Sequence, residues 1–137
     1  MRDYYMKIAL KEANKALKHG EIPVGAVIVK NNKIISKAYN KREKSKNVIK
    51  HAEILAIIKA CKKLKNWRLC DCEIYVTLEP CMMCCGAIEQ SRIKKIIYGC
   101  KNINNGKTNE LKNVELFPNV CEIECKELLQ SFFKNRR

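Results

Sequence analysis

The sequence predicts an α/β fold: a mixed sheet of about five strands with helices on both faces, made by one domain over residues 1–137. Three observations predict it. Apolar residues recur with helical spacing in some segments and in short β-rich runs in others. Two of those runs flank Asn31-Asn32 and read as an antiparallel hairpin. From Cys72 to Tyr98 the order is strand, helix, strand with short connections. Such a connection makes a right-handed parallel crossover, so the sheet combines both pairings.

The elements follow in order. Tyr5, Ile8, Ala9, Ala13, Ala16 and Leu17 fall on one face of a helix over residues 2–19, and Gly20 is placed to stop it. Val24–Val29 and Ile34–Tyr39 are the hairpin strands. Asn-Asn is a weaker turn signal than Asn-Gly. A polar, basic loop over Lys41–Lys50 leads to a helix over His51–Leu64. There Ile54, Leu55, Ile57, Ile58 and Cys61 cover much of the circumference, which predicts a helix buried between other elements. Cys72–Leu78 is a strand. Pro80 suits a helix's first turn and opens one that runs to about Ser91. Lys95–Tyr98 is the next strand, 102–113 a polar loop, Val114–Ile123 at most a short strand, and Glu124–Arg137 a helix with a basic end.

Composition narrows the classes. No stretch reaches the ~18 apolar residues of a membrane span, and the N-terminus lacks the apolar run of a secretory signal, so a cytoplasmic location without membrane contact is expected. The nine cysteines are an odd number without a secretory signal, which predicts free thiols or metal ligands rather than a disulfide framework. Cys61, Cys70, Cys72, Cys100, Cys121 and Cys125 are expected to pack as small buried residues, and Met82-Met83 likewise. The net charge of +14 suits a protein that meets phosphate backbones. Yet lysine outnumbers arginine 22 to 6, a bias that drift in composition alone produces.

The chemistry is concentrated at two predicted helix starts, His51-Ala52-Glu53 and Pro80-Cys81-Met82-Met83-Cys84-Cys85. A helix N-terminus favours thiolate, the form that binds zinc. Cys-x-x-Cys brings two sulfurs about a turn apart on one face, and in a parallel sheet the carboxyl ends of strands line one crevice where His51 could join them. Three protein ligands leave one tetrahedral position for water, and Glu53 is placed to move that water's proton. Spacing alone leaves Cys84 and Cys85 as equal partners for Cys81, since i+3 and i+4 both return to one helix face.

The pattern H-x-E…P-C-x-x-C is the signature of zinc nucleobase deaminases. The chain resembles the cytidine/deoxycytidylate deaminase superfamily, and within it the bacterial tRNA adenosine deaminases that act at the wobble position. The matching stretches are Ile22–Val29, Tyr39-Asn40, His51–Ile54, Asn66–Leu69, Ile74–Cys84, Gly86-Ala87 and Ser91–Ile93.

The resemblance implies a three-layer α/β/α cytidine-deaminase-like fold and one zinc ion per subunit, held by His51, Cys81 and Cys84. It implies Glu53 as the catalytic proton shuttle, Asn40 as a base contact, and Phe132, Phe133 and Arg136 as contacts to a tRNA anticodon stem-loop. It also implies a homodimer. It leaves Cys85 to packing.

Departures fall in the loops: Asn47–Lys50 replaces a usual Asp-Pro-Thr-Ala, and Lys101-Asn102 stands near a usual Arg-Asp. The leading expectation is deamination of wobble adenosine to inosine. The same zinc site acting on a free base, nucleoside or nucleotide, such as guanine or a cytosine compound, is the enzymatic alternative. A non-catalytic zinc or RNA-binding module would need a fourth protein ligand and leaves Glu53 unexplained.

Overall fold

The computed structural model describes residues 1–135. Helix α1 (Arg2–Lys18) is followed by strands β1 (Gly25–Lys30) and β2 (Lys33–Tyr39), helix α2 (Ala52–Leu64) and strand β3 (Cys72–Leu78). Helix α3 (Met82–Gln90), strand β4 (Lys95–Cys100), a 3₁₀ turn (Thr108–Glu110), strand β5 (Glu115–Phe117) and helix α4 (Glu122–Lys134) complete the order. The sheet order is β2-β1-β3-β4-β5. The β2, β1 and β3 pairings are antiparallel, and β3, β4 and β5 are parallel. This is the mixed five-strand sheet expected from the sequence.

Period-2 alternation sorts the strands' side chains into two cores. Ala26, Ile28, Ile74, Val76 and Ile96 point to one face, beneath α2 and α3. Val27, Val29, Tyr75 and Ile97 point to the other, beneath α1 and α4. The hairpin turn places both Asn31 and Asn32 at positive φ, 51° and 62°, the conformation of a type I′ turn. The chain leaves α1 through Gly20 at φ 74°, with the amides of Gly20 and Glu21 bonded back to Leu17 and Ala16, a Schellman closure.

Several expectations are corrected. The buried stripe of α2 is Ala52, Ala56 and Ala60, not its isoleucines, and Ile58 is 56% exposed. Alanine lets the helix approach the sheet closely, so the larger side chains flank the contact and one is left outward. Pro80 precedes α3 rather than opening it: Cys81 is the N-cap. Of the cysteines expected to be buried, Cys72, Cys100 and Cys125 are, whereas Cys61 and Cys121 are half-buried and Cys70 is exposed. Met82 is exposed as well, at 70%.

Gly25 seats α1 on the sheet. A Cβ there would stand 2.6 Å from the Ala13 nitrogen and closer still to the Ala9 carbonyl oxygen, backbone atoms that cannot turn aside. Gly25→Ala is therefore expected to destabilise the protein by about 1–3 kcal/mol, the usual cost of overpacking. Urea unfolding checks this: a midpoint matching the wild type would refute the close seating of α1.

Candidate metal centre and pocket

The two helix starts converge beside the carboxyl ends of β3 and β4. His51 and Cys81 are both N-cap residues with extended backbone, at φ −76°, ψ 155° and φ −76°, ψ 178°, and neither side chain makes a capping hydrogen bond. Both turn inward instead. His51 Nδ1 lies 3.8 Å from Cys81 Sγ and 3.6 Å from Cys84 Sγ, and the three ligand atoms all lie within 4.8 Å of one another. Zinc–nitrogen and zinc–sulfur bonds of ~2.0 and ~2.3 Å at a tetrahedral angle put nitrogen and sulfur about 3.6 Å apart. The donor set and its spacing therefore fit zinc.

Of Cys84 and Cys85, it is Cys84 whose sulfur lies in the triangle with His51 and Cys81. With Cys81 at the N-cap, Cys84 is the third residue of the first turn and shares its side. Cys85, one step on, turns away and sends its thiol toward the Pro80 carbonyl at 3.5 Å. Burial pushes the Cys85 thiol up to about 12, so it stays protonated. Hydrogen bonds from the Cys84 thiol and from His51 hold Cys81 as a thiolate, lowering it to about 3. Donating that bond raises Cys84, and His51 is raised chiefly by its bond to Cys81. A cation placed among them would release the proton that the sulfurs share.

Glu53, in the first turn of α2, is buried beside this triangle, and loss of hydration pushes its carboxyl up to about 7. A carboxyl poised there exchanges protons readily near neutral pH. His51, Glu53 and Cys81 open into a cavity of about 470 Å³. Asn40, Leu78, Met82, Met83 and Asn102 also line it, so the methionine pair is a wall of the pocket and not core packing.

Two loops complete the walls, and each is tied down by a buried carboxylate that the sequence reading did not single out. Glu21 accepts the amides of Glu43 at 3.0 Å and Lys44 at 2.7 Å, fixing the loop that carries Arg42 to the cavity. Glu79 accepts the amides of Asn102 at 3.2 Å and Thr108 at 3.3 Å, and the Thr108 hydroxyl as well. That bond network lays Asn102, Asn105 and Lys107 along the rim. A Cβ on Gly106 would stand 2.5 Å from Glu79 Cδ, so a glycine is needed where the loop crosses the carboxylate. Only pairings over 22 to 29 positions reveal these ties, which no local pattern shows.

The remaining expected contacts separate. Asn40 is buried at the cavity wall, where its amide donates to the Ile22 carbonyl at 3.3 Å and its oxygen accepts the Arg42 amide at 3.3 Å. Phe132 is buried in a second, adjoining cavity of about 280 Å³, together with Glu21, Ile22, Asn40 and Arg42. Phe133 packs edge-on against it at 5.2 Å and is 52% exposed, so of the two rings it is the one presented outward. Arg136 lies outside the described residues.

Comparison with known proteins agrees with this arrangement. Residues 1–100 match the family model described as the cytidine and deoxycytidylate deaminase zinc-binding region. A tRNA-specific adenosine deaminase of Bacillus subtilis is 43% identical over 98% of this chain and 90% of its own. A solved structure from work on A-to-I editing by tRNA:A34 deaminases at the wobble position superposes with a TM-score of 0.86 at 32% identity, over 91% of this chain and 98% of its own. A guanine deaminase structure, also from Bacillus subtilis, gives a TM-score of 0.70 at 37% identity over 82% of this chain and 70% of its own.

Replacing the two adjacent cysteines separates ligand from packing. After dialysis, Cys84→Ala is expected to lose its zinc, whereas Cys85→Ala keeps one ion per chain. Elemental analysis reads the difference, and the reverse pattern would overturn the ligand assignment.

Proposed function

Because the chain belongs to the cytidine and deoxycytidylate deaminase zinc-binding family, we propose that it hydrolyses adenosine to inosine at the wobble position of a tRNA anticodon loop. The observation that carries this is the triangle of His51, Cys81 and Cys84 beside a buried carboxyl, opening into a cavity large enough for a single base. The curated relatives at 41–43% identity are named tRNA-specific adenosine deaminases and match over 98–99% of this chain.

His51, Cys81 and Cys84 hold the zinc, which when bound supplies an acidified water as nucleophile. The reaction replaces the exocyclic amino group at C6 with oxygen and releases ammonia. Glu53 would take the two protons of the attacking water in turn, handing one to the ring nitrogen of the base and the other to the leaving amino group, a role its place beside the triangle suits. Leu78, Met82 and Met83 give the base apolar walls, and Asn40 fixes the strand end against which it lies. A loop base already splayed from its stack costs little to insert into such a pocket. Phe133, with the buried Phe132 behind it, extends the contact to the anticodon stem-loop, and Arg136 is a further contact to the same RNA. The deaminase domain spans residues 1–137, and its place is the cytoplasm, where tRNA is found. No helix among the described residues is long and apolar enough to cross a membrane.

The protein works as a homodimer. In support, α2 and α3 pack side by side, and both leave large apolar groups outside, Ile58 and Met82. Sedimentation equilibrium is expected to give twice the chain mass, and Ile58→Glu to give the monomer. A monomeric wild type would refute the pairing.

Nucleoside mass spectrometry after incubation with an anticodon stem-loop bearing wobble adenosine tests the activity. Inosine is expected from the wild type. Glu53→Ala is expected to lower its formation by about 10²–10⁴-fold while keeping the metal. Ammonia released from free guanine or cytosine compounds, with no inosine from the RNA, would replace the RNA substrate with a free base.

A further inference from the structure

One edge of the molecule gathers like charges where the fold does not call for them. Lys37 on β2, Lys41 after it and Lys15 on α1 all bear on Lys59 of α2, whose pKa is lowered by partial burial and then by these neighbouring ammonium groups. The Lys59 ammonium is not turned away from them but donates to the Lys37 carbonyl at 2.8 Å. One carboxylate, Glu12, faces the group, and it is paired with Lys15 at 2.7 Å. An edge strand does use lysine to discourage pairing with other chains, but that accounts for the charges on β2 alone, not for their convergence with lysines from two helices.

The cluster adjoins an aromatic stack. The His19 ring lies parallel to Tyr39, at 6.0 Å and 15°, and Lys41 Nζ stands 4.9 Å over the Tyr39 ring. The cluster is continuous with the pocket, because the chain alternates as it leaves β2: Asn40 and Arg42 line the cavity, while Tyr39 and Lys41 belong to the basic edge. Lys37 is three residues from Asn40 and Lys59 eight residues along α2 from His51, about 10–12 Å in each case. A strand following the edge would place its first phosphates beyond the inserted base over that distance.

We propose that this edge, Lys15, Lys37, Lys41 and Lys59 beside the Tyr39–His19 stack, is a track for the phosphate backbone of the RNA as it leaves the pocket for the anticodon stem. Crowded ammonium groups repel one another in the free protein and are relieved when a polyanion lies across them. The inference rests on the reading of RNA as substrate and goes further by fixing the side on which the strand departs.

The test is fluorescence anisotropy of a labelled anticodon stem-loop, titrated with zinc-loaded protein at several KCl concentrations. The variant Lys37→Gln/Lys41→Gln/Lys59→Gln leaves Lys15 to its buried partner Glu12. It is compared with Lys94→Gln/Lys112→Gln/Lys126→Gln, which removes the same charge from exposed sites away from α2 and the β2 edge. The edge variant is expected to bind at least ~10-fold more weakly, with the slope of log affinity against log salt shallower by about 2 to 3, as three lost phosphate contacts require. The control is expected to stay within about twofold of the wild type. Equal losses in both variants, an unchanged slope in the edge variant, or no RNA binding by the wild type would each overturn the track. Inosine formed by the wild type on the same RNA is scored separately, so failure of the activity and failure of the track are distinguished.

Discussion

Two helices begin at the same place, and neither uses its first residue as a cap. An N-cap of histidine or cysteine forgoes the ~1 kcal/mol that serine, threonine, asparagine or aspartate provides by bonding the first-turn amides. That concession at His51 and Cys81 is the constraint on which the rest depends. Their side chains are free to meet only because β1, β3 and β4 hold the starts of α2 and α3 at one sheet end, and because Ala52, Ala56 and Ala60 bring α2 close to that sheet. The helix N-termini return part of the cost by favouring negative charge, which the sulfurs supply.

Outward from that point the protein becomes less regular, and carboxylates replace sheet hydrogen bonds as the means of fixing backbone. Glu79 in the cavity wall and Glu21 in the adjoining cavity each accept two main-chain amides from a loop outside the sheet. Burying a carboxylate is costly unless it is so satisfied. The result is a pocket whose floor is set by packing and whose rim is set by hydrogen bonds.

Much of this was legible in the sequence. The strands declared themselves by short β-rich runs, the crossover by short connections, and the site by His51-x-Glu53 and Cys81-x-x-Cys84 at helix starts. What was not legible has physical reasons. Hydrophobic counting misplaced the buried face of α2, because it weights isoleucine over alanine, whereas close approach to a sheet favours the smaller residue. Met82 and Met83 read as packing since no local pattern distinguishes a core methionine from one lining a cavity. Cys84 and Cys85 could not be separated by spacing: the choice depends on Cys81 being a cap rather than a helical residue. Glu21 and Glu79 gave no signal, as their partners are distant in the chain and are main-chain groups.

That last property has an evolutionary side. A tether that grips amides takes no account of the side chains attached to them, so most rim positions near Arg42, Asn102 and Lys107 can be exchanged without loosening the loops that carry them. Gly106, pressed against Glu79, is the exception. A scaffold built this way can change what it admits while keeping its chemistry, with selection acting on the rim and leaving the anchors alone.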